Sequence, residues 1–522
     1  MRFTSRFVVI GVVVLALSAG IVGAQTGVEA LVAEATIADL QTMMENGTVT
    51  SESVTIALIG RIERLDGELR SVLVVNPEAV AQARQRDAER RAGQVRGPLH
   101  GIPVLLKDNI ESADPMATTA GSLALAGNVT GRDAGLVSRL REAGAVILGK
   151  TNLSEWANFR SEQSSSGWSG VGGQTRNPYD PTRSPCGSSS GSGVAVAAGF
   201  APVAIGTETN GSVVCPSTSN GLVGIKPTVG LVSRFGVVPI SHTQDTAGPM
   251  ARTVTDAVVT FEAMIGVDER DSATRIAQEA AAWSLVDHLG PGGLQGKRIG
   301  VMRSNTGFHD KVDALFERAL ADLEAAGATL VEDLEFESPD GLGQAAYDVL
   351  LYEFKHDLNA YLSGVPGTDR LPATTLEELI AFNDLHADAE MPWFGQEIFV
   401  KSQAKGTLDE EAYLEALQLT VDSSRSGIDT LLTEHDLDAL VAPTGSAAWT
   451  IDLVNGDHFL GGSSSFPARA GYPNITVPMG MIHGLPVGIS FIGTRLSEPT
   501  LIEIASAYEL ATHRRVAPAI SD

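Results

Sequence analysis

Three short segments of the chain contain lysine, serine and glycine residues that together could carry out nucleophilic catalysis. Lys107 ends the hydrophobic run that begins at Ile102, and Ser188 and Ser212 each lie in a stretch rich in serine and glycine. A lone lysine at a strand end more often reaches out to solvent. If its amine is instead held among apolar and hydroxyl groups, burial disfavours the charged form and lowers its pKa. A neutral amine could then act as a general base toward a serine nucleophile.

The backbone before Ser212 could stabilise the charge that such a nucleophile generates. A predicted strand, Pro202 to Ile205, leads into this segment. A turn here can direct consecutive backbone N–H groups toward one point, and the loss of one such donor costs ~3 kcal/mol in characterised enzymes. The sequence therefore predicts an oxyanion hole formed by the N–H groups of Thr209, Asn210, Gly211 and Ser212.

Three other patterns match well-known motifs, but each lacks the context that its chemistry needs. Residues 144–151 fit the phosphate-loop pattern, yet their four interior residues read as a strand. Residues 187–191 fit the nucleophile elbow of α/β-hydrolases around Ser189, yet a proline-broken loop precedes them. Ser402-Gln-Ala-Lys405 fits the motif of penicillin-binding enzymes, but the chain contains no Lys-Thr-Gly.

Composition excludes several classes of protein and of site. Among 522 residues, 43% are apolar and 5% aromatic, which favours α/β layers over a β-sandwich. A net charge of −26 disfavours nucleic-acid partners. No His-Glu-x-x-His or paired cysteine spacing indicates a metal site. Two cysteines, Cys186 and Cys215, are too few for a disulfide framework, so we expect buried free thiols, with a single bridge as the alternative.

The first 24 residues have the three parts of a secretory signal. Arg2 and Arg6 precede the apolar run Phe7 to Leu17, and small residues end at Ala24. We predict cleavage before Gln25 and export of the chain to the periplasm or the exterior, with a membrane anchor as the alternative. After cleavage, no contact with a membrane is expected.

The remaining residues, 25–522, read as one α/β domain. Helices with polar faces are predicted in 25–95, and helices alternate with short buried strands in 95–265. Strands are predicted again in 436–515, at Leu437 to Pro443, Asn474 to Pro478 and Val487 to Ile492, and Ser497 to Thr512 is predicted as a closing helix. The interval 266–435 contains a strand-like segment, Arg298 to Met302, and longer helical stretches, and we interpret it as an elaboration that forms much of the substrate-facing wall.

In this order and with these spacings, the three catalytic segments resemble the amidase signature family. Lys107 in Leu-Lys-Asp-Asn, Ser188 after Cys-Gly, and Ser212 in Asn-Gly-Ser fall on the residues of its Ser-cis-Ser-Lys triad. Residues 208–216 are closest in form to the bacterial peptide amidase branch. Further segments resemble the same family, namely 149–156, 176–180, 221–228, 245–252 and 484–488.

The resemblance implies a fold, an activity and a substrate class. We expect an α/β fold in which helices cover both faces of a large mixed sheet, and hydrolysis of a carboxamide C–N bond, not a peptide bond, through an acyl-enzyme, without a metal or cofactor. C-terminal peptide amides are the leading substrate. Hydrolases of amino-acid, aryl or fatty-acid amides are alternatives, as are a glutamyl-tRNA amidotransferase subunit and a non-catalytic exported amide-binding protein.

Overall fold

A mixed β-sheet of 11 strands forms the centre of the protein. The computed structural model describes residues 27–334 and 338–520, so the predicted signal peptide at residues 1–24 lies outside the described residues. The strands are β1 (Val72–Val75), β2 (Pro103–Lys107), β3 (Val146–Thr151), β4 (Trp168–Ser169), β5 (Gly173–Gln174), β6 (Val203–Glu208), β7 (Val223–Lys226), β8 (Thr246–Ala251), β9 (Arg298–Val301), β10 (Thr329–Val331), β11 (Ala439–Pro443), β12 (Asn474–Ile482) and β13 (Leu485–Ile492). Their order across the sheet is β1-β3-β2-β6-β8-β7-β12-β13-β11-β9-β10, while β4 and β5 form a separate pair.

Helices cover both faces of this sheet, as the resemblance implied. They are α1 (Ile37–Glu45), α2 (Ser51–Leu69), α3 (Ala79–Arg91), α4 (Gly135–Glu142), α5 (Ser190–Ala197), α6 (Val214–Ser219), α7 (Val254–Met264), α8 (Asp310–Ala325), α9 (Leu342–Gly364), α10 (Leu376–Leu385), α11 (Ala387–Glu390), α12 (Glu397–Gln403), α13 (Glu411–Glu434), α14 (Ser465–Ala470) and α15 (Glu498–Thr512). None of the helices in the described ranges is long and apolar enough to cross a membrane.

The parallel strands β2, β3 and β6 bring the predicted catalytic segments to one edge of the sheet. All residues of these strands are buried, in keeping with their apolar sequences. Lys107 pairs with Thr151 of β3, and Leu106 pairs with Ile205 of β6. Because the carboxyl ends of parallel strands meet at the same edge, Lys107 lies beside the end of β6 and the loop that follows it.

Most of the predicted elements are present, but the sheet extends beyond the predicted core. The strands predicted after His100, Gly144, Ala201 and Asp436 form, and so does the closing helix. However, β9 and β10 lie inside the interval 266–435, and β1 lies inside 25–95. Those two intervals therefore contribute the strands at the two ends of the sheet as well as helices.

The helical part of the chain from α9 to α12 packs on the loop that follows β3. The ring centroids of Trp156 and Phe399 are 5.6 Å apart. Arg160 is fully buried; its guanidinium Nη1 donates to the carbonyl oxygen of Glu390 at 2.6 Å, and its Nε lies 3.2 Å from Glu155 Oε1. Burial raises the pKa of Glu155 well above its ordinary value. The hydrogen bond from Arg160 to Glu390 and the packing of Trp156 on Phe399 thus fasten these helices to the loop that follows β3.

The two cysteines form a disulfide bond, so our expectation of free thiols is wrong. Cys186 and Cys215 have their Cα atoms 5.9 Å apart, within the range that a bridge requires. They are 29 residues apart in sequence; Cys186 lies in the loop before α5 and Cys215 lies in α6. The bridge therefore joins the loop that contains Ser188 to the first turn of α6, just after Ser212.

Replacing both cysteines by alanine should lower the free energy of unfolding by about 3 kcal/mol, because the denatured chain regains the freedom of a closed loop. We expect a lower thermal midpoint for the double variant than for the oxidised wild type. Reductant should lower the wild-type midpoint and leave that of the double variant unchanged. Equal midpoints for the oxidised wild type and the variant would contradict a stabilising bridge.

Candidate active site

Lys107 is held in a buried shell of hydroxyl and carbonyl groups. Its Nζ donates to Ser188 Oγ at 2.7 Å, to Thr207 Oγ1 at 2.8 Å and to the carbonyl oxygen of Thr207 at 3.2 Å. Asn109 also donates to Thr207 Oγ1, at 2.9 Å. The structure therefore brings two of the three predicted catalytic residues, Lys107 and Ser188, into direct contact.

Burial lowers the pKa of Lys107 to about 7, because the amine is removed from water without an ion pair. The charges of Asp245 and Glu208 oppose this shift but do not offset it. Near neutral pH a large share of Lys107 is therefore uncharged. An uncharged amine can accept a proton, which the sequence analysis required of a general base.

Ser188 lies in a tightly packed loop before α5. The peptide bond between Gly187 and Ser188 is cis. The carbonyl oxygen of Ser188 accepts from the N–H of Ser154 at 3.0 Å. A Cβ atom on Gly187 would lie 2.2 Å from Ser154 Oγ, so no side chain fits at this position. The close approach of these two loops explains why the sequence has glycine here.

The carboxylate of Glu208 shapes the turn that carries Ser212. It accepts from the backbone N–H groups of Gly211 at 2.8 Å, Val213 at 2.7 Å and Val214 at 3.1 Å. Gly211 has a φ of +85°, which favours glycine. These contacts fix the turn in one conformation and leave Ser212 with 8% of its surface exposed.

The same contacts correct one part of the predicted oxyanion hole. The N–H of Gly211 already donates to Glu208, so it is not a free donor. Among the described residues, no hydrogen-bond acceptor is found for the N–H groups of Thr209, Asn210 and Ser212. These three groups are the remaining candidates for binding an oxyanion beside Ser212.

Two side-chain contacts hold this turn from opposite sides. Thr209 Oγ1 donates to Asp245 Oδ1 at 2.6 Å, and Ser464 Oγ donates to Asn210 Oδ1 at 2.7 Å. Asp245 is buried, and burial raises its pKa to about 6. The sequence analysis placed Asp245 only at the start of a segment that resembles the family. The sequence feature that could have indicated the role of Asp245 is an acidic residue directly before β8, a strand rich in small residues.

The competing motifs have structural roles in the described protein. Lys150 is buried in β3, and its Nζ donates to the carbonyl oxygen of Ile110 at 2.6 Å and to Thr118 Oγ1 at 2.9 Å, so it cannot reach a phosphate. Ser189 Oγ donates to the carbonyl oxygen of Thr207 at 3.1 Å and follows no strand. Lys405 pairs with Asp348 at 2.6 Å.

A cavity of about 430 Å³ lies beside Asp245 and is lined in part by residues of α9. A narrow cleft shares Arg234, Val237 and Asp245 with this cavity and continues to Thr207 and Thr209. Neither this cavity nor a further one of about 590 Å³, lined by residues of the loop 446–460, has Lys107, Ser188 or Ser212 in its lining. We therefore associate the smaller cavity with the site, since its lining leads to the shell of Lys107.

Comparison with known proteins identifies the family of the chain. A model of the amidase family matches residues 53–502. A probable amidase of Arabidopsis thaliana is 42% identical over 494 residues, which cover 93% of this chain and 91% of that protein.

Two solved structures are more similar still in sequence. The peptide amidase PAM in complex with the competitive inhibitor chymostatin is 52% identical with a TM-score of 0.89, over 93% of this chain and 99% of that one. The native peptide amidase from Stenotrophomonas maltophilia is 51% identical with a TM-score of 0.88, over 94% and 99% of the two chains. With a family match that spans most of its length and relatives similar over nine-tenths of it, the chain belongs to the amidase signature family.

Proposed function

We propose that the chain hydrolyses a carboxamide bond with Ser212 as nucleophile, Ser188 as proton relay and Lys107 as general base. The observation that carries this proposal is the contact between the buried amine of Lys107, which lacks an ion pair, and Ser188 Oγ at 2.7 Å. An amine with a pKa of about 7 can take a proton from a hydroxyl group that is itself receiving one.

The first half of the reaction forms an acyl-enzyme. Ser212 Oγ bonds to the carbonyl carbon while its proton passes to Ser188, and the proton of Ser188 passes to Lys107. The N–H groups of Thr209, Asn210 and Ser212 would receive the negative oxygen. When the C–N bond breaks, the proton returns from Lys107 through Ser188 to the departing nitrogen, which leaves as ammonia or an amine.

The second half regenerates the enzyme with water. A water molecule attacks the ester carbon and transfers a proton through Ser188 to Lys107, so that the oxyanion forms again at the same N–H groups. Collapse of this intermediate breaks the bond to Ser212 Oγ, which takes the proton back. The products are the carboxylic acid and the free serine, and the sequence of steps uses no group beyond these side chains and water.

We infer that C-terminal peptide amides are the substrate class. Solved peptide amidases about half identical to this chain support this inference. The cavity of about 430 Å³ beside Asp245 provides space for groups attached to the amide. A net charge of −26 opposes the alternative of a subunit that handles tRNA. Export, which rests on residues 1–24, stays a prediction, and N-terminal sequencing of the mature chain would check it at Gln25.

The Ser212→Ala and Lys107→Ala variants should each lower kcat/KM for a peptide amide by about 1000-fold or more. The reason is that loss of one member of a catalytic triad costs nearly as much activity as loss of all three. Ammonia release from the purified chain measures the effect. Ser402→Ala is the matched control, since Ser402 belongs to the competing Ser-x-x-Lys pattern and should keep wild-type activity. Activity that survives in Ser212→Ala would exclude Ser212 as the nucleophile.

The pH profile of kcat/KM should rise with pH, with a midpoint near the Lys107 pKa of about 7, because only the neutral amine accepts a proton. The negative charge of Asp245 raises this pKa. Asp245→Asn should therefore move the rising limb to lower pH, whereas Asp39→Asn, on a surface helix, should not. A limb that stays in place in Asp245→Asn would contradict Lys107 as the titrating base.

The substrate proposal is tested with a panel of C-terminal peptide, amino-acid, aryl and fatty-acyl amides. We expect kcat/KM for peptide amides to exceed that for the other classes by at least about tenfold, the range in which pocket contacts discriminate substrates. Ser212→Ala provides the blank for each compound. A higher kcat/KM for aryl or fatty-acyl amides would contradict the proposed substrate class without contradicting the proposed triad.

A further inference from the structure

Two histidines and an aspartate meet where the loop before β8 contacts α9. His242 comes from the loop, and His356 and Asp357 come from the helix. Asp357 Oδ2 lies 2.8 Å from His242 Nδ1, and Asp357 Oδ1 lies 2.8 Å from His356 Nδ1. One ligand atom from each of the three residues can be chosen so that all lie within 4.8 Å of one another. In the part of the chain that the structure describes, this is the one group of its kind.

These donors match the coordination preferences of zinc. Zinc binds imidazole nitrogen and carboxylate oxygen at about 2.0–2.2 Å, and a site with three protein ligands keeps a fourth position for water. Tetrahedral ligands at such distances are roughly 3.3 Å apart. The two contacts of 2.8 Å must therefore open slightly, which rotation of the two exposed imidazoles allows while Asp357 Oδ2 keeps its hydrogen bond from the backbone N–H of His242 at 2.8 Å.

The surroundings provide access for a hydrated ion. The side chains of His242 and His356 are 41% and 59% exposed, while that of Asp357 is 11% exposed. His242 and Asp357 also line the cavity of about 430 Å³. A metal ion could therefore enter from solvent and keep a water ligand on its open side.

Nearby charges favour a cation at this position. Glu353 Oε1 lies 3.5 Å from His242 Nε2 and belongs to a fully buried side chain. When Nδ1 of a neutral imidazole binds a metal, its proton resides on Nε2, and a carboxylate that faces Nε2 orients the ring and strengthens the ligand. The positive charge of nearby Arg234 is already paired with Asp271, at 2.6 Å.

We propose that His242, His356 and Asp357 form a zinc-binding site that joins the loop before β8 to α9, with Glu353 orienting His242. The site is separate from the proposed triad and takes no part in the proton transfers. Its location connects it to the active site, because Asp245 in the same loop accepts a hydrogen bond from Thr209. A bound ion would restrain the loop that holds the oxyanion turn.

Zinc titration of the purified full chain, stripped of metal with a chelator, tests this proposal. We expect one equivalent of Zn²⁺ to bind and to raise the thermal midpoint. His356→Ala and the near-isosteric Asp357→Asn should each weaken zinc binding by at least about tenfold. His386→Ala, which removes an exposed histidine between α10 and α11, should bind zinc like the wild type.

Because Ser212→Ala should bind zinc normally, metal uptake can be measured independently of amide hydrolysis. Asp357→Asn must show the wild-type midpoint without zinc, so that loss of binding is not loss of folding. Saturable binding that persists unchanged in both His356→Ala and Asp357→Asn would overturn the site. So would the absence of zinc uptake by the wild type.

Discussion

The burial of one amine without a counterion is the constraint on which the rest of the site depends. Lys107 stands at the end of a central strand, where a charged ammonium group would be costly and a neutral amine is tolerated. Its partners are accordingly hydroxyl and carbonyl oxygens, from Ser188 and Thr207. A carboxylate placed in contact would hold the proton and raise the pKa of the amine, which would remove the base.

The two acids whose charges act on Lys107 accept hydrogen bonds from other groups. Glu208 accepts three backbone N–H groups of the turn around Ser212, and Asp245 accepts from Thr209 and from the N–H groups of Ile240 and Ser241. Their charges still reach Lys107 through space, but their lone pairs are engaged by backbone and hydroxyl groups. The same carboxylates thus shape the loops around Lys107 and Ser212 without forming an ion pair with the amine.

Local sequence patterns were sufficient for the features that depend on neighbouring residues. The strand that ends on Lys107, the glycine-rich turns and the buried helix after Ser188 all follow from short-range patterns, and the resemblance supplied the pairing of the two serines. The remaining features depend on contacts between distant segments. Glu208 accepts a hydrogen bond from Gly211, Cys186 bonds to Cys215, and His242 contacts Asp357 only after the sheet and helices have assembled. No repeating pattern in the sequence predicts such contacts between distant segments.

The bond between Cys186 and Cys215 has a consequence for where the chain can mature. It fastens the loop that contains Ser188 to the helix that begins just after Ser212. Such a bond forms by two-electron oxidation, which the glutathione pool of a cytosol opposes and an extracytoplasmic compartment favours. The covalent link between these two segments therefore depends on the redox state of the surroundings. A chain kept among reduced thiols would lack this bond, so the redox state of the compartment in which the chain folds decides whether the two loops are joined.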